Sequence, residues 1–348
     1  MLEHLYSDTI HNKKILILGP LPPPLGGVSV HIHRVTQKFI QQNNTVINFD
    51  ATCYTSRFVR TIQLIVSFIK HKPDIVYHHT LYHSYLEWVL VIIFKLICQY
   101  QLVLIDHDCR DLYKRSQFFK KILRHSMFLV NKQVLIGNLT VQCYRDNHIP
   151  LIANCSVESP FLPPDVSQEK RILQTYPPEL FEFLHNHAPI VCVNAFSLIM
   201  LEGKDLYGID TSIQLIAQLK NQFPASGLVI VLGQRGNLEY YQELQRTIKV
   251  LDVYDNIFFL EEQKELWPLF KYSDLFIRPT LSDGFSISIV EALYLGTATL
   301  ASDVCLRPAK TILFKTDNFN DLLQKTCTIL ASKNYAAPHH KYHNLHAQ

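Results

Sequence analysis

The segment from Asp274 to Gly296 concentrates groups able to handle a phosphorylated, hydroxyl-rich ligand. An apolar run closes at Arg278, and Asp283 and Gly284 follow in a turn. Ser286–Leu295 then has helical spacing and stops at Gly296, a common helix terminator. Asp283 and Glu291 stand eight residues apart, one in the loop and one in the helix. A helix start offers unpaired N–H groups and a positive dipole end, which suit a diphosphate. A carboxylate further along the helix can accept hydrogen bonds from ribose hydroxyls, and one in the loop can do the same for a sugar ring. Arg278 is a candidate cation there, or the ion-pair partner of Asp274 or Asp283.

Two earlier places have matching chemistry. The proline-stiffened loop from Gly19 to Val28 ends in Gly26-Gly27 just before a helix. Adjacent glycines let the backbone approach a ligand and aim N–H groups at an anion, or simply make a tight turn. The spacing is not that of a G-x-G-x-x-G dinucleotide loop. The second place is Asp106-His107-Asp108-Cys109-Arg110-Asp111. His107 can donate to a sugar hydroxyl or exchange a proton near neutral pH. Alternatively the cluster is a solvated loop with a helix cap at Asp108 or Asp111.

These sites need strand ends to hold them. Apolar runs fall at Lys14–Leu18, Thr45–Phe49, Asp74–His79, Leu102–His107, Gln133–Ile136 and Leu151–Ala153, with helical spacing between them. Strand and helix in alternation predict an α/β fold with a parallel sheet covered on both faces. Five prolines between Ser156 and His187 interrupt the pattern, which resumes from Pro189 to Ala331. The expected organisation is an N-terminal Rossmann-like domain over 1–155, a linker region over 156–188, a second Rossmann-like domain over 189–332 and a flexible tail over 333–348. In open parallel sheets, ligands bind beyond the carboxyl ends of the strands. Gly26, His107, Arg278 and Asp283 all fall there.

The 348 residues include 48% hydrophobic ones, ample for two cores, and carry a net charge of +3, too small to imply a nucleic-acid partner. Eight cysteines form no C-x-x-C pair, so reduced thiols of a cytoplasmic protein are expected. The polar start reads as no signal peptide, and Leu86–Cys98, with Glu87 and Lys95, as a buried helix rather than a membrane span. Arg57–Lys72 and Lys114–Arg124 alternate basic and apolar residues. They read as amphipathic surface helices, with peripheral contact to an anionic membrane at the inner face of the cell as the sharper reading. His339, His340, His343 and His346 read as a solvated tail, and no metal is assigned.

The run D-G-F-S-I-S-I-V-E-A-L resembles the acidic-x7-acidic signature of retaining GT-B glycosyltransferases of the family 4 type (glycosyl transferases group 1), which ordinarily reads E-G-F then E-A. The match extends through Gly296 to Ala301-Ser302-Asp303-Val304, and Gly26-Gly27-Val28, His107 and Ile152-Ala153-Asn154 match the rest of that family in position and type. The variant R-P-T, D-G, S-x-S, E-A-L and S-D-V with a later R-P resembles a bacterial surface-polysaccharide subgroup. The resemblance implies two Rossmann-like domains facing a central cleft. It implies transfer of a hexose-type sugar from a nucleotide-diphosphate donor to a hydroxyl of a lipid-linked glycan, with retention. It makes Glu291 the ribose binder and His107 and Asp283 donor-sugar contacts. Gly284, Phe285, Ser286 and Ile287 would hold the diphosphate, and Gly26 and Gly27 would admit donor phosphate and acceptor. No metal or other cofactor is implied, since cations and the helix start replace it. Retention would follow from attack on the same face as the departing phosphate.

Two departures stand out. The family's Arg and Lys after the first strand of the second domain are missing from Asn194–Asp210, with Tyr207 where the Lys would precede the glycine. Lys204 and Arg278 are the candidate substitutes for neutralising the diphosphate. Asp283 replaces Glu, shortening the reach by one methylene. A catalytically inactive scaffold, which would fold without binding nucleotide, and a nucleotide-sugar epimerase of the same shape are the alternatives.

Overall fold

The computed structural model describes residues 10–23, 25–79, 85–107, 112, 115–158, 161–262, 264–283 and 286–332. Gly284, Phe285, Asp108 to Asp111 and the 333–348 tail lie outside the described residues. The chain divides into two compact units, Met1–Leu162 and Pro163–Gln348.

The first unit runs β1 (Lys14–Leu18), α1 (Gly27–Gln41), β2 (Thr45–Phe49), α2 (Arg57–His71), β3 (Ile75–His79), α3 (Tyr85–Cys98), β4 (Gln101–Asp106), α4 (Gln117–Ser126), β5 (Lys132–Ile136), α5 (Asn138–Asp146) and β6 (Cys155–Glu158). Its six strands lie in the order β2-β1-β3-β4-β5-β6, all parallel. Successive side chains of a strand face opposite layers. Leu16, Leu18, Val76, Leu102 and Leu104 therefore meet Leu64, Phe68, Trp88, Val91 and Leu123 of α2–α4. Ile15, Ile17, Ile75, Tyr77, Val103 and Ile105 meet Ile32, Val35 and Phe39 of α1.

The second unit runs α6 (Glu169–Leu173), α7 (Pro178–Asn186), β7 (Ile190–Leu198), β8 (Met200–Leu201), β9 (Lys204–Asp205), α8 (Ile209–Leu219), β10 (Gly227–Gly236), α9 (Leu238–Val250), β11 (Ile257–Glu261), α10 (Trp267–Tyr272), β12 (Leu275–Arg278), α11 (Ile287–Tyr294), β13 (Ala298–Ser302), β14 (Ile312–Phe314) and α12 (Phe319–Ala331). Its main sheet, β11-β10-β7-β12-β13-β14, is again parallel, and β8 and β9 form a small antiparallel hairpin. Val191, Val193, Leu228, Ile230 and Ile277 pack with α8, α9 and α12. Ile190, Cys192, Val229 and Phe276 pack with α7, α10 and α11.

Three expectations need correction. The last strand of the first unit is Cys155–Glu158, not Leu151–Ala153. The Ile152 N–H donates to the side chain of buried Gln133 at 3.1 Å, which withholds it from the ladder, and pairing with β5 begins at Cys155. Residues 156–188 contain the division between the two units but carry more than a linker. They hold most of β6 and then α6 and α7, whose Ile172, Leu180, Phe183 and Leu184 join the core of the second unit. The prolines misled because one of them, Pro178, starts a helix, where its missing N–H costs nothing. Finally, α3 is buried on one side only. Trp88 and Val91 are enclosed, while Leu96 and Ile97 are 60% and 70% exposed, because no layer of the described residues covers that face of the helix.

Candidate functional site

In the second unit, β12 delivers Arg278 to the carboxyl end of the sheet, and its guanidinium is held from three sides. Nε donates to Asp283 Oδ2 at 3.2 Å, Nη1 donates to the Asn194 carbonyl at 3.0 Å, and the plane sits 5.0 Å over the Tyr207 ring. The ion pair open to Arg278 in the sequence is thus made with Asp283, while Asp274 accepts from the Ile190 N–H at 2.8 Å. A second guanidinium completes the cluster. Arg307 Nη1 donates to Asp283 Oδ2 at 2.7 Å, and its Nε donates to the Ser302 carbonyl at 3.0 Å. Burial by itself would raise the Asp283 carboxyl, but Arg278 and Arg307 outweigh it and hold the group below the ordinary aspartate range. Two guanidinium groups against one carboxylate leave a positive excess at the strand ends.

Beside this cluster, α11 begins after Ser286, which makes no capping hydrogen bond, and its first turn carries no acidic residue. The first-turn N–H groups, including that of Ile287, are the kind a helix presents to an anion. Glu291 lies buried further along the same helix, as does Ser286 at its start. The Asn194 amide donates to Ser288 Oγ at 3.2 Å and so ties α11 to β7.

Lys204 is elsewhere. It sits in the β8–β9 hairpin, largely exposed, and pairs with Asp317 at 2.5 Å rather than joining Arg278 and Asp283. Its neighbour Asp205 faces inward and accepts from the N–H groups of Tyr207 and Ile209, both at 2.9 Å, and from the Tyr240 hydroxyl. Burial raises its pKa. Asp205 thereby folds the loop that brings Tyr207 under Arg278. Arg307 had no assigned role in the sequence. Its one trace there was the R-P pair that marks the subgroup, and only the fold brings that pair back to Asp283.

In the first unit, Gly26 is the N-cap of α1 and Gly27 its first residue. The Gly26 N–H donates to Ser29 Oγ at 2.9 Å, so Ser29, not a bound anion, takes that donor. The Gly26 N–H is therefore not free to meet an anion in this arrangement. His107 follows β4 and lies beside two histidines that the sequence did not connect with it. His79 ends β3, and His31 lies on α1. His79 Nδ1 and His107 Nε2 are 3.0 Å apart, and each ring offers a nitrogen within 4.8 Å of the others. Burial, and then the neighbouring imidazoles, lower the pKa of His79 well below the ordinary histidine value, and burial and His31 do the same for His107. Gly19 at the end of β1 makes the approach possible. A Cβ there would lie 2.5 Å from Ile32 Cδ1 and 3.0 Å from His79 Cβ. The signal available in sequence was the H-x-H and H-H spacing at strand and helix ends, which chain order alone does not bring together.

Comparison with known proteins agrees with this architecture. Residues 195–316, which contain Lys204, Arg278, Asp283, Glu291 and Arg307, match the family Glycosyl transferases group 1. A search of curated proteins found no match. Among solved structures, the chain resembles Anabaena Alr3699/HepE in complex with UDP and glucose, at 16% identity and TM-score 0.61, covering 95% of this chain and 94% of that one. It resembles a glycosyltransferase from Rickettsia africae at 15% identity and TM-score 0.69, covering 92% and 89%. It also resembles a sucrose-phosphate synthase from Thermosynechococcus elongatus at 14% identity and TM-score 0.58, covering 92% and 90%. The fold is that of GT-B glycosyltransferases, with two parallel-sheet Rossmann-like domains.

Proposed function

We propose that this protein is a retaining glycosyltransferase that moves a sugar from a nucleotide-diphosphate donor to a hydroxyl of a glycan in surface-polysaccharide synthesis. The observation that carries the reading is the Arg278–Asp283–Arg307 cluster beside the start of α11, on the helix that also holds buried Glu291. Negative charge grows on the leaving nucleotide during transfer, and preorganised cations stabilise it without reorganisation. Arg278 and Arg307 supply that charge in place of the missing Arg and Lys. The Ser286–Ile287 helix start holds phosphate oxygens, and Glu291 accepts from the ribose hydroxyls. Asp283 orients both arginines and contacts the donor sugar. Transfer then needs no ion bridging the phosphates. Retention follows if the acceptor attacks on the face the phosphate leaves.

The acceptor is read as lipid-linked and the protein as a peripheral, cytoplasmic-side one. Among the described residues no helix is long and apolar enough to cross a membrane. Yet α2 exposes Phe58, Ile62 and Ile69 beside Arg57, Arg60 and Lys70, and α3 exposes Leu96 and Ile97. The two helices pack together through Phe68 and Phe94. Apolar surface flanked by cations suits an anionic bilayer surface.

The deciding experiment is a thermal-shift screen of the full chain against UDP and GDP, the former being the nucleotide bound by the Anabaena protein. Stabilisation by one of them that Glu291→Ala abolishes supports the reading. No stabilisation by any nucleoside diphosphate overturns it.

A further inference from the structure

We infer that the first unit carries a binding site for one divalent d-block cation, built from the imidazoles of His31, His79 and His107. The three ligands come from three elements, α1, the last residue of β3 and the residue after β4, so a single tertiary arrangement assembles them. The spacing fits coordination. With metal–nitrogen bonds of about 2.05 Å and tetrahedral angles, ligand nitrogens lie about 3.3 Å apart and imidazole centroids about 5.2 Å apart. The His79 and His107 nitrogens are 3.0 Å apart, and the three centroid separations are 4.8, 5.3 and 5.7 Å. The three ligand nitrogens lie within 4.8 Å of one another, so closing the site takes a movement of up to about 1.5 Å, chiefly at His31.

The donor set selects the ion. Imidazole nitrogens without carboxylates suit zinc, cobalt, nickel or copper and not magnesium or calcium. His79 is 1% exposed, so packing fixes its ring with Nδ1 turned toward His107. Three protein ligands leave a coordination position for water or a substrate oxygen, the pattern of a zinc site that does more than hold a fold. The site stands apart from the glycosyl-transfer reading, because every ligand lies in the first unit and binding is read without donor or acceptor. The two meet only at His107, where a nitrogen that holds a cation is no longer available to a sugar hydroxyl.

The test uses the full-length chain stripped with chelator, dialysed against Zn²⁺ and analysed for bound metal. His339→Ala/His340→Ala/His343→Ala/His346→Ala, made in one variant, removes tail histidines as competing ligands. The expected result is one equivalent of tightly held Zn²⁺ that survives in this variant. Affinity is expected to fall at least tenfold in His31→Gln and in His107→Gln. No stoichiometric Zn²⁺ in the parent chain, or unchanged affinity in a folded His31→Gln, overturns the proposal. If the His31 and His107 variants do not fold, electron paramagnetic resonance of the chain lacking the four tail histidines, with one equivalent of Cu²⁺, decides. Superhyperfine coupling to three nitrogens supports the site, and its absence overturns it.

Discussion

Arg307 and Asp283, separated by 24 residues in sequence, form a 2.7 Å ion pair in which the arginine side chain is almost fully enclosed. Arg278 approaches the same carboxylate oxygen, so one aspartate fixes two guanidinium groups. Removing Asp283 strands two cations, and removing Arg307 leaves the buried carboxylate with Arg278 alone. Arg307→Ala is expected to cost about 2–4 kcal/mol in urea unfolding, because breaking such a pair is worse than never having it. The same variant should lose nucleotide-induced stabilisation, whereas Lys204→Ala, on the exposed hairpin, should keep most of it.

The pH dependence follows from the depressed Asp283 carboxyl. Burial opposes the charged form, but the two arginines prevail, so the folded-state value lies below the unfolded one. The stability from this group is fully present above the ordinary aspartate value of 3.8 and is lost as pH falls below it. Denaturation followed from pH 5 to pH 2 should show this loss in the parent chain and a shallower one in Arg307→Ala.

Glu87 has the opposite sign. Burial chiefly, with a smaller push from Asp50, raises its carboxyl from 4.5 to about 7 against the pull of Arg60. The folded chain therefore loses stability as pH rises from about 4.5 to 7, and the loss persists above that. At about 1.4 kcal/mol per pKa unit, Glu87→Gln should stabilise the protein by about 2–3 kcal/mol at pH 8 and much less at pH 5. An equal gain at both pH values would contradict the assignment.

Gly208 holds a left-handed conformation at φ +67, and a Cβ there would lie 2.6 Å from the Pro279 carbonyl oxygen. Gly208→Ala should cost about 1–3 kcal/mol in urea unfolding. Because it forces apart the Tyr207 loop and the end of β12, nucleotide affinity should fall as well, measured by calorimetry.

The exposed face of α2 offers a separate test. Phe58→Ser combined with Ile69→Ser should lower co-sedimentation with phosphatidylglycerol vesicles severalfold without changing the melting temperature by more than a few degrees, since both side chains are already largely exposed. Binding to neutral vesicles should be weak for parent and variant alike.

Most strands of the two sheets were legible because both faces are covered and each strand reads as an unbroken apolar run, as at Lys14–Leu18 and Leu275–Arg278. The D-G-F…E-A-L segment was legible because its groups are sequence neighbours. What escaped were contacts across the sheet. Arg307 meets Asp283 only after β13 returns beside β12, and His31 meets His79 only once α1 crosses back over the sheet. Helices α6 and α7 were hidden for another reason. They are short, and prolines flank or start them, so local composition outweighed their periodicity.

Strand order also dictates when each half can be completed during synthesis. All six strands of the first unit have been made by Glu158, so that sheet can close while the remainder is still on the ribosome. The second unit cannot do this. β7 lies between β10 and β12, and the Ile190 N–H waits for Asp274, 84 residues later. Until then one flank of a highly apolar central strand stays open to other chains. A nascent chain stalled near Gly236 would thus expose the sheet interior, whereas one released near Leu162 would not. Chaperone demand and proteolytic loss during translation should therefore fall mainly on the second half.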